Sequence, residues 1–257
     1  MRHLPLLLLA VLFAAPAPAR ADDDLLTRDE VSSFKKKLVA ALEGLGAPPA
    51  GFAKDKDDFN LPSNFYKTDG KLNPITASAT RKLAIKGVQD AQKSQKALGE
   101  EYQKKILEAQ MKGDYAAMAA ISQEMQQKGG ASAMSGMQAQ QDKKNPIDVR
   151  VAFNDVVDEA IDPDNVVVEK PGVIGLKTKN GGDEEVNETV RMFFQPSLKD
   201  TKNLSRVRLF TGNNYVPAKT SVATVVIELV GPVKDVEAWA KRVDQKKILA
   251  LIDAPAK

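Results

Sequence analysis

The residues able to carry acid-base or nucleophilic chemistry are few. Histidine occurs once, as His3, and cysteine is absent from the 257 residues. A chain that has lost its first residues therefore has no Ser-His-Asp or Cys-His nucleophile, no thiolate or imidazole metal ligand and no disulfide framework. Carboxylates remain, and a Glu/Asp pair can hydrolyse a glycoside when the environment separates its two pKa values. Asp155, Asp158, Glu159, Asp162 and Asp164 are the candidates. They cluster around one turn instead of facing across a cleft, and Asp162-Pro163-Asp164-Asn165 has ordinary turn chemistry, so no catalytic pair is assigned.

Other motifs fail on spacing. Counting an EF-hand loop from Asp55 puts Asn60 at the sixth position and Tyr66 at the twelfth, where glycine and glutamate are required. Ser32 and Ser33 precede Lys35 and Lys36 by three residues, but the companion motifs of penicillin-recognising enzymes are missing. Gly44-Leu45-Gly46 ends a helix instead of following a strand, and no phosphate loop is present. No cofactor, metal or nucleic-acid partner is expected, and the protein reads as a non-enzyme.

Two constellations suit binding. Arg150, Lys177, Lys179, Arg191, Arg206 and Arg208 fall on the polar phase of alternating segments. If the strands align, they form a basic face for an anionic glycan, a lipid surface or an envelope protein. Tyr115, Met118 and Met125 recur at helical spacing and form a candidate apolar surface on a helical hairpin.

Those residues need elements to hold them. Residues 1–21 combine a basic start, an apolar run from Leu4 to Ala15 and the small-residue end Ala19-Arg20-Ala21. That order predicts a signal peptide cleaved after Ala21 and a periplasmic or secreted protein. Cleavage removes Arg2 and Arg20 and no acid, lowering the formal charge from +3 to +1; the sequence pI of about 8.8 belongs to the uncut chain. No later segment is long and apolar enough to span a bilayer.

The remainder reads as an α+β protein. A helical region is expected over 22–128, made of a helix over 27–45 opened by a capping box at Thr27, an aromatic loop over 47–75 and an antiparallel helical hairpin over 76–128. The Gly/Ser/Gln-rich stretch 129–145 reads as a flexible linker. Residues 146–257 read as an α+β sheet domain with helices on one face, a central strand over 221–230 and a last strand over 248–252.

The function expected from these elements is an exported binding or scaffolding protein of the bacterial cell envelope. A periplasmic holdase-type chaperone gripping clients with the hairpin is one alternative. A carboxylate-based hydrolase of an extracellular polymer is another.

Overall fold

A computed structural model describes residues 24–143, 145–178, 187–199, 201–209 and 215–253. The predicted signal peptide and Lys179 lie outside the described residues. The first part of the chain forms β1 (Asp24–Leu25), α1 (Arg28–Gly44), β2 (Phe52–Asn60), β3 (Asn64–Phe65), β4 (Lys67–Thr68), β5 (Lys71–Leu72) and β6 (Ala77–Ile85). Two long helices follow, α2 (Lys86–Met111) and α3 (Tyr115–Lys143). The remainder forms β7 (Ile147–Phe153), β8 (Val157–Ala160), β9 (Val166–Lys170), β10 (Val173–Thr178), β11 (Glu188–Phe194), β12 (Arg206–Leu209), β13 (Val225–Gly231), α4 (Val233–Arg242) and α5 (Gln245–Leu249).

Helix α1 begins where its capping box places it. The Thr27 hydroxyl accepts from the Glu30 amide at 3.2 Å, and the Glu30 carboxylate accepts from the Thr27 amide at 2.7 Å, satisfying two amides that the helix leaves open. Its stripe of Phe34, Leu38, Ala41 and Leu42 is buried.

The fold is α+β around a seven-stranded antiparallel sheet of order β2-β6-β7-β13-β11-β10-β9. The doubly apolar strand β13 lies at its centre, as its composition predicts. One face carries Val149, Val151, Val190, Met192, Ile227 and Leu229, which share a core with α1, α4 and α5. Trp239 of α4 is buried there and donates from Nε1 to the Leu45 carbonyl at 2.9 Å, tying α4 to the end of α1. The other face buries Ile174, Leu176, Phe193 and Val226 beneath the two-stranded ribbon β8–β12, which contributes Val157, Val207 and Leu209.

Several boundaries differ from the sequence reading. The aromatic loop contains β2, an edge strand whose charged residues Lys54 to Asp58 suit the rim of a sheet. Arg81 of β6 grips Asp57 at 2.8 and 2.9 Å and donates to the Leu42 carbonyl at 3.1 Å, joining the edge to α1. That guanidinium, helped by Lys54, holds the Asp57 carboxyl down to about 2. Residues 77–85 are strand β6 and not helix: Ala77, Ala79, Leu83 and Ile85 are buried at alternate positions, a period that alanines signal weakly.

Because β6 pairs with β7 along the register Ala77↔Phe153 to Leu83↔Ile147, no domain boundary lies at residue 146. The last strand expected over 248–252 is instead the short helix α5 and a turn. Asp244 caps it by accepting from the Lys247 amide at 3.1 Å.

The stretch expected as a linker is helical through Lys143, as the last half of α3. One glycine and one serine of this stretch, Gly136 and Ser132, lie directly against α2. A Cβ on Gly87 would meet that of Ala139 at 2.4 Å, and one on Gly136 would meet Ala91 at 3.0 Å. Ser132 donates to the Ala91 carbonyl at 3.1 Å, so small side chains bring the helices together where propensity alone disfavours α3.

Candidate functional site

The structure disperses the predicted basic face. Arg150 on β7 and Arg191 on β11 stand in one row across the sheet, but Glu228 of β13 sits between them in register. Arg150 pairs with Asp155 at 3.0 Å, and Arg191 pairs with Glu159 of the ribbon and with Glu228 at 3.5 Å. Lys177 belongs to the opposite face and reaches Glu237 of α4 at 3.4 Å. Arg206 and Arg208 lie on the outer face of the ribbon, both directed at Asp158. Acids replace a continuous patch with separate ion pairs, and two of them, Glu228 and Asp158, stand directly across a strand pair from an arginine. Three of the five candidate acids, Asp155, Asp158 and Glu159, are the partners of these arginines. Asp162 caps a short 3-10 turn by accepting from the Asp164 amide at 3.1 Å.

A different feature follows from the topology. Strands β6 and β7 are hydrogen-bonded neighbours, yet α2 and α3 are inserted between them. The helices are about 39 and 43 Å long at 1.5 Å per residue. Their contacts run in opposite senses, from Gly87 against Ala139 through Ala91 against Gly136 to Leu98 near Gly129. Farther out, the fully buried Tyr102 ring lies 4.8 Å from the Lys105 ammonium and 5.9 Å from that of Lys128. The turn uses Gly113 at φ 67° and Asp114, which accepts from the Ala117 amide at 2.9 Å.

This helical arm is anchored at its root. Lys143 bonds Asp235 of α4 at 3.2 Å and lies over the Phe52 ring at 5.2 Å, while Val88 and Ala139 pack on the main core. Beyond the root little is buried. Only Ala91, Tyr102 and Ala109 of α2 are buried, and no residue of α3 is.

The arm also concentrates exposed apolar surface. Of the ten large apolar side chains exposed among the described residues, Leu107, Met111, Tyr115, Met125, Met134 and Met137 are on it. Tyr115 is 80% exposed and Met111 74%, and with Leu107 they surround the distal turn. Of the residues singled out from sequence, Tyr115 and Met125 are exposed and Met118 is half-buried. Leu107 and Met111 were missed because they lie off the α2 stripe, and Met134 and Met137 because their segment reads as a linker. Four methionines among six exposed residues make the surface adaptable. No helix among the described residues is long and apolar enough to cross a membrane.

Glu188, at the end of β11, is 7% exposed, and its Oε2 has no hydrogen-bond partner. Burial, reinforced by the Glu237 carboxylate and partly offset by Lys177, pushes its carboxyl above the usual range. A raised acid favours the fold below its unfolded pKa, and that contribution disappears as pH rises through the folded value. Glu188→Gln, which cannot ionise, is therefore expected to raise the stability of the protein at pH 7, where the unfolded glutamate is charged. The gain should shrink towards zero at pH 4; thermal melts of both proteins at the two pH values check it.

No family model, curated protein or solved structure matches the chain.

Proposed function

We propose that the protein is an exported, non-enzymatic binding protein of the cell envelope, and that its α2–α3 hairpin takes hold of an apolar segment of a partner polypeptide. The observation that carries this reading is the concentration of exposed Leu, Met and Tyr side chains on a projecting arm whose root is fixed to the sheet. Apolar side chains gathered into an exposed patch are uncommon on soluble proteins and mark interaction sites. The sheet supplies the rigid base. Export is supported by the order of basic, apolar and small residues over 1–21.

The methionines favour a second reading, a holdase that accepts many unfolded clients. The two readings predict different selectivity for the same surface. Crosslinking in the native envelope, followed by mass spectrometry, should recover one dominant partner if the protein is a dedicated binder and a broad set if it is a holdase. In either case Leu107→Ser, Met111→Gln and Tyr115→Ser combined should reduce recovery at least fivefold with the fold unchanged, because these side chains have little native packing to lose. Undiminished recovery by this triple variant would remove the arm from the binding mechanism.

A further inference from the structure

The outer face of the ribbon carries a second feature, separate from the arm. Strand β12 alternates, with Val207 and Leu209 buried and Arg206 and Arg208 exposed, so both guanidinium groups project from the same side of the strand. Strand β8 places Asp158 opposite Arg208, and both arginines converge on that one carboxylate. The Arg208 contact is long, at 3.5 Å, and its side chain is 62% exposed. Two forks of five N–H donors each share a single carboxylate, which leaves positive charge and donors unspent.

The arginines border an open groove of about 620 Å³, within the range of small-molecule sites. Gln195, Ser197 and Ser205 supply amide and hydroxyl groups to its lining, and Leu204 an apolar contact. Lys199 and Lys202 are exposed on the loop that forms the same wall and make no ion pair among the described residues. The loop is fixed from behind. The Leu198 carbonyl accepts from the Gly172 amide at 2.6 Å, and the Gln195 amide donates to the Gly172 carbonyl at 3.0 Å. Gly172, at φ 81°, sits in the turn and donates one of these bonds while accepting the other.

A basic end, neutral donors beside it and an apolar contact form a set suited to one kind of ligand. The geometry points to a binding groove for a phosphorylated sugar, its phosphate held by Arg206 and Arg208 and its hydroxyl groups by Ser197, Ser205 and Gln195. Arginine forks match phosphate oxygens in pairs. The hydroxyl and amide side chains pair with sugar hydroxyls, which a bare phosphate lacks.

Titration calorimetry of the intact protein with glucose 6-phosphate, glucose and inorganic phosphate tests this inference. Glucose 6-phosphate should bind at least tenfold more tightly than either of the others. Arg206→Gln with Arg208→Gln should weaken it at least tenfold, and Ser197→Ala with Ser205→Ala should weaken it while leaving inorganic phosphate unchanged. These side chains are exposed, and surface ion pairs contribute little to stability, so both variants should fold; circular dichroism verifies that. Absence of saturable glucose 6-phosphate binding would overturn the assignment, as would binding indifferent to the double arginine variant. Arginine-dependent capture of vesicles rich in an anionic phospholipid, without sugar phosphate binding, would overturn it in favour of a lipid headgroup.

Discussion

Replacing residues 88–141 with a short Gly/Asn turn is expected to leave a folded protein that has lost its polypeptide partner. Strands β6 and β7 pair along the register Ala77↔Phe153 to Leu83↔Ile147 without help from the arm. The deletion leaves an ordinary hairpin connection between them, which antiparallel neighbours tolerate. The core loses only the partial packing of Val88 and Ala139, and the Lys143 contact with Asp235 is retained. A cost near 1 kcal/mol lowers the melting temperature by about 2–4 °C in a chain of this size. Far-ultraviolet circular dichroism should lose more than half of its helical signal, since α2 and α3 hold most of the helical residues. Partner recovery after crosslinking should fall to background. Failure to fold would mean that the arm belongs to the folding unit, and normal recovery would mean that the partner binds elsewhere.

How much of this could be read in advance depends on how strongly each element is specified locally. Helix α1 was legible because its cap and buried stripe lie in one continuous segment. Strand β13 was legible because Val225, Val226, Ile227 and Leu229 put apolar side chains on both phases of the alternation, as a doubly covered strand does. The β9–β10 turn carries Pro171-Gly172, a turn signal that acts locally. Strand β6 was not legible, since half of its buried face is alanine and its pairing with β7 spans more than sixty intervening residues. The second half of α3 was hidden for the opposite reason: glycine and serine, read locally, predict a linker, and only the approach of α2 makes their small size useful.

The same limit governs the sites. Alternation placed Arg150 and Arg191 on the polar phase of their strands correctly, but which acid stands opposite is a matter of register. Glu228 between them, and Glu159 above Arg191, appear only when the strands and the ribbon are assembled. Tyr115 and Met125 were legible as a helical stripe. The distal trio is a property of two helix ends and one turn, so Leu107 and Met111 join Tyr115 only once the arm is folded. Asn154, which precedes the acidic cluster in sequence, is a joint between three segments that are distant in the chain.

Asn154→Ala should be among the most destabilising single substitutions. The residue is 2% exposed and adopts φ 57°, a left-handed conformation that asparagine tolerates better than most residues. Its Nδ2 donates to the carbonyls of Ile75 and Ser221, each at 2.9 Å, and its Oδ1 accepts from the Ala223 amide at 2.8 Å. One side chain thereby closes the end of β7 against the segments leading into β6 and β13. Alanine leaves those three backbone groups without their partner and keeps a Cβ at positive φ without the local hydrogen bonding that lets asparagine adopt it readily. With each of the three buried orphans costing about 1 kcal/mol or more, the total is about 3 kcal/mol, equivalent to a fall of about 6–12 °C in melting temperature. Asn154→Gly separates the two contributions, because glycine accepts the backbone conformation but forms none of the side-chain bonds. It should recover about 1 kcal/mol relative to alanine and no more. Recovery of most of the loss by glycine would mean that conformation, not hydrogen bonding, is what the protein requires at this position. A fall of less than about 2 °C for alanine, below what a single kcal/mol produces in a chain of this size, would remove Asn154 as the joint between the segments.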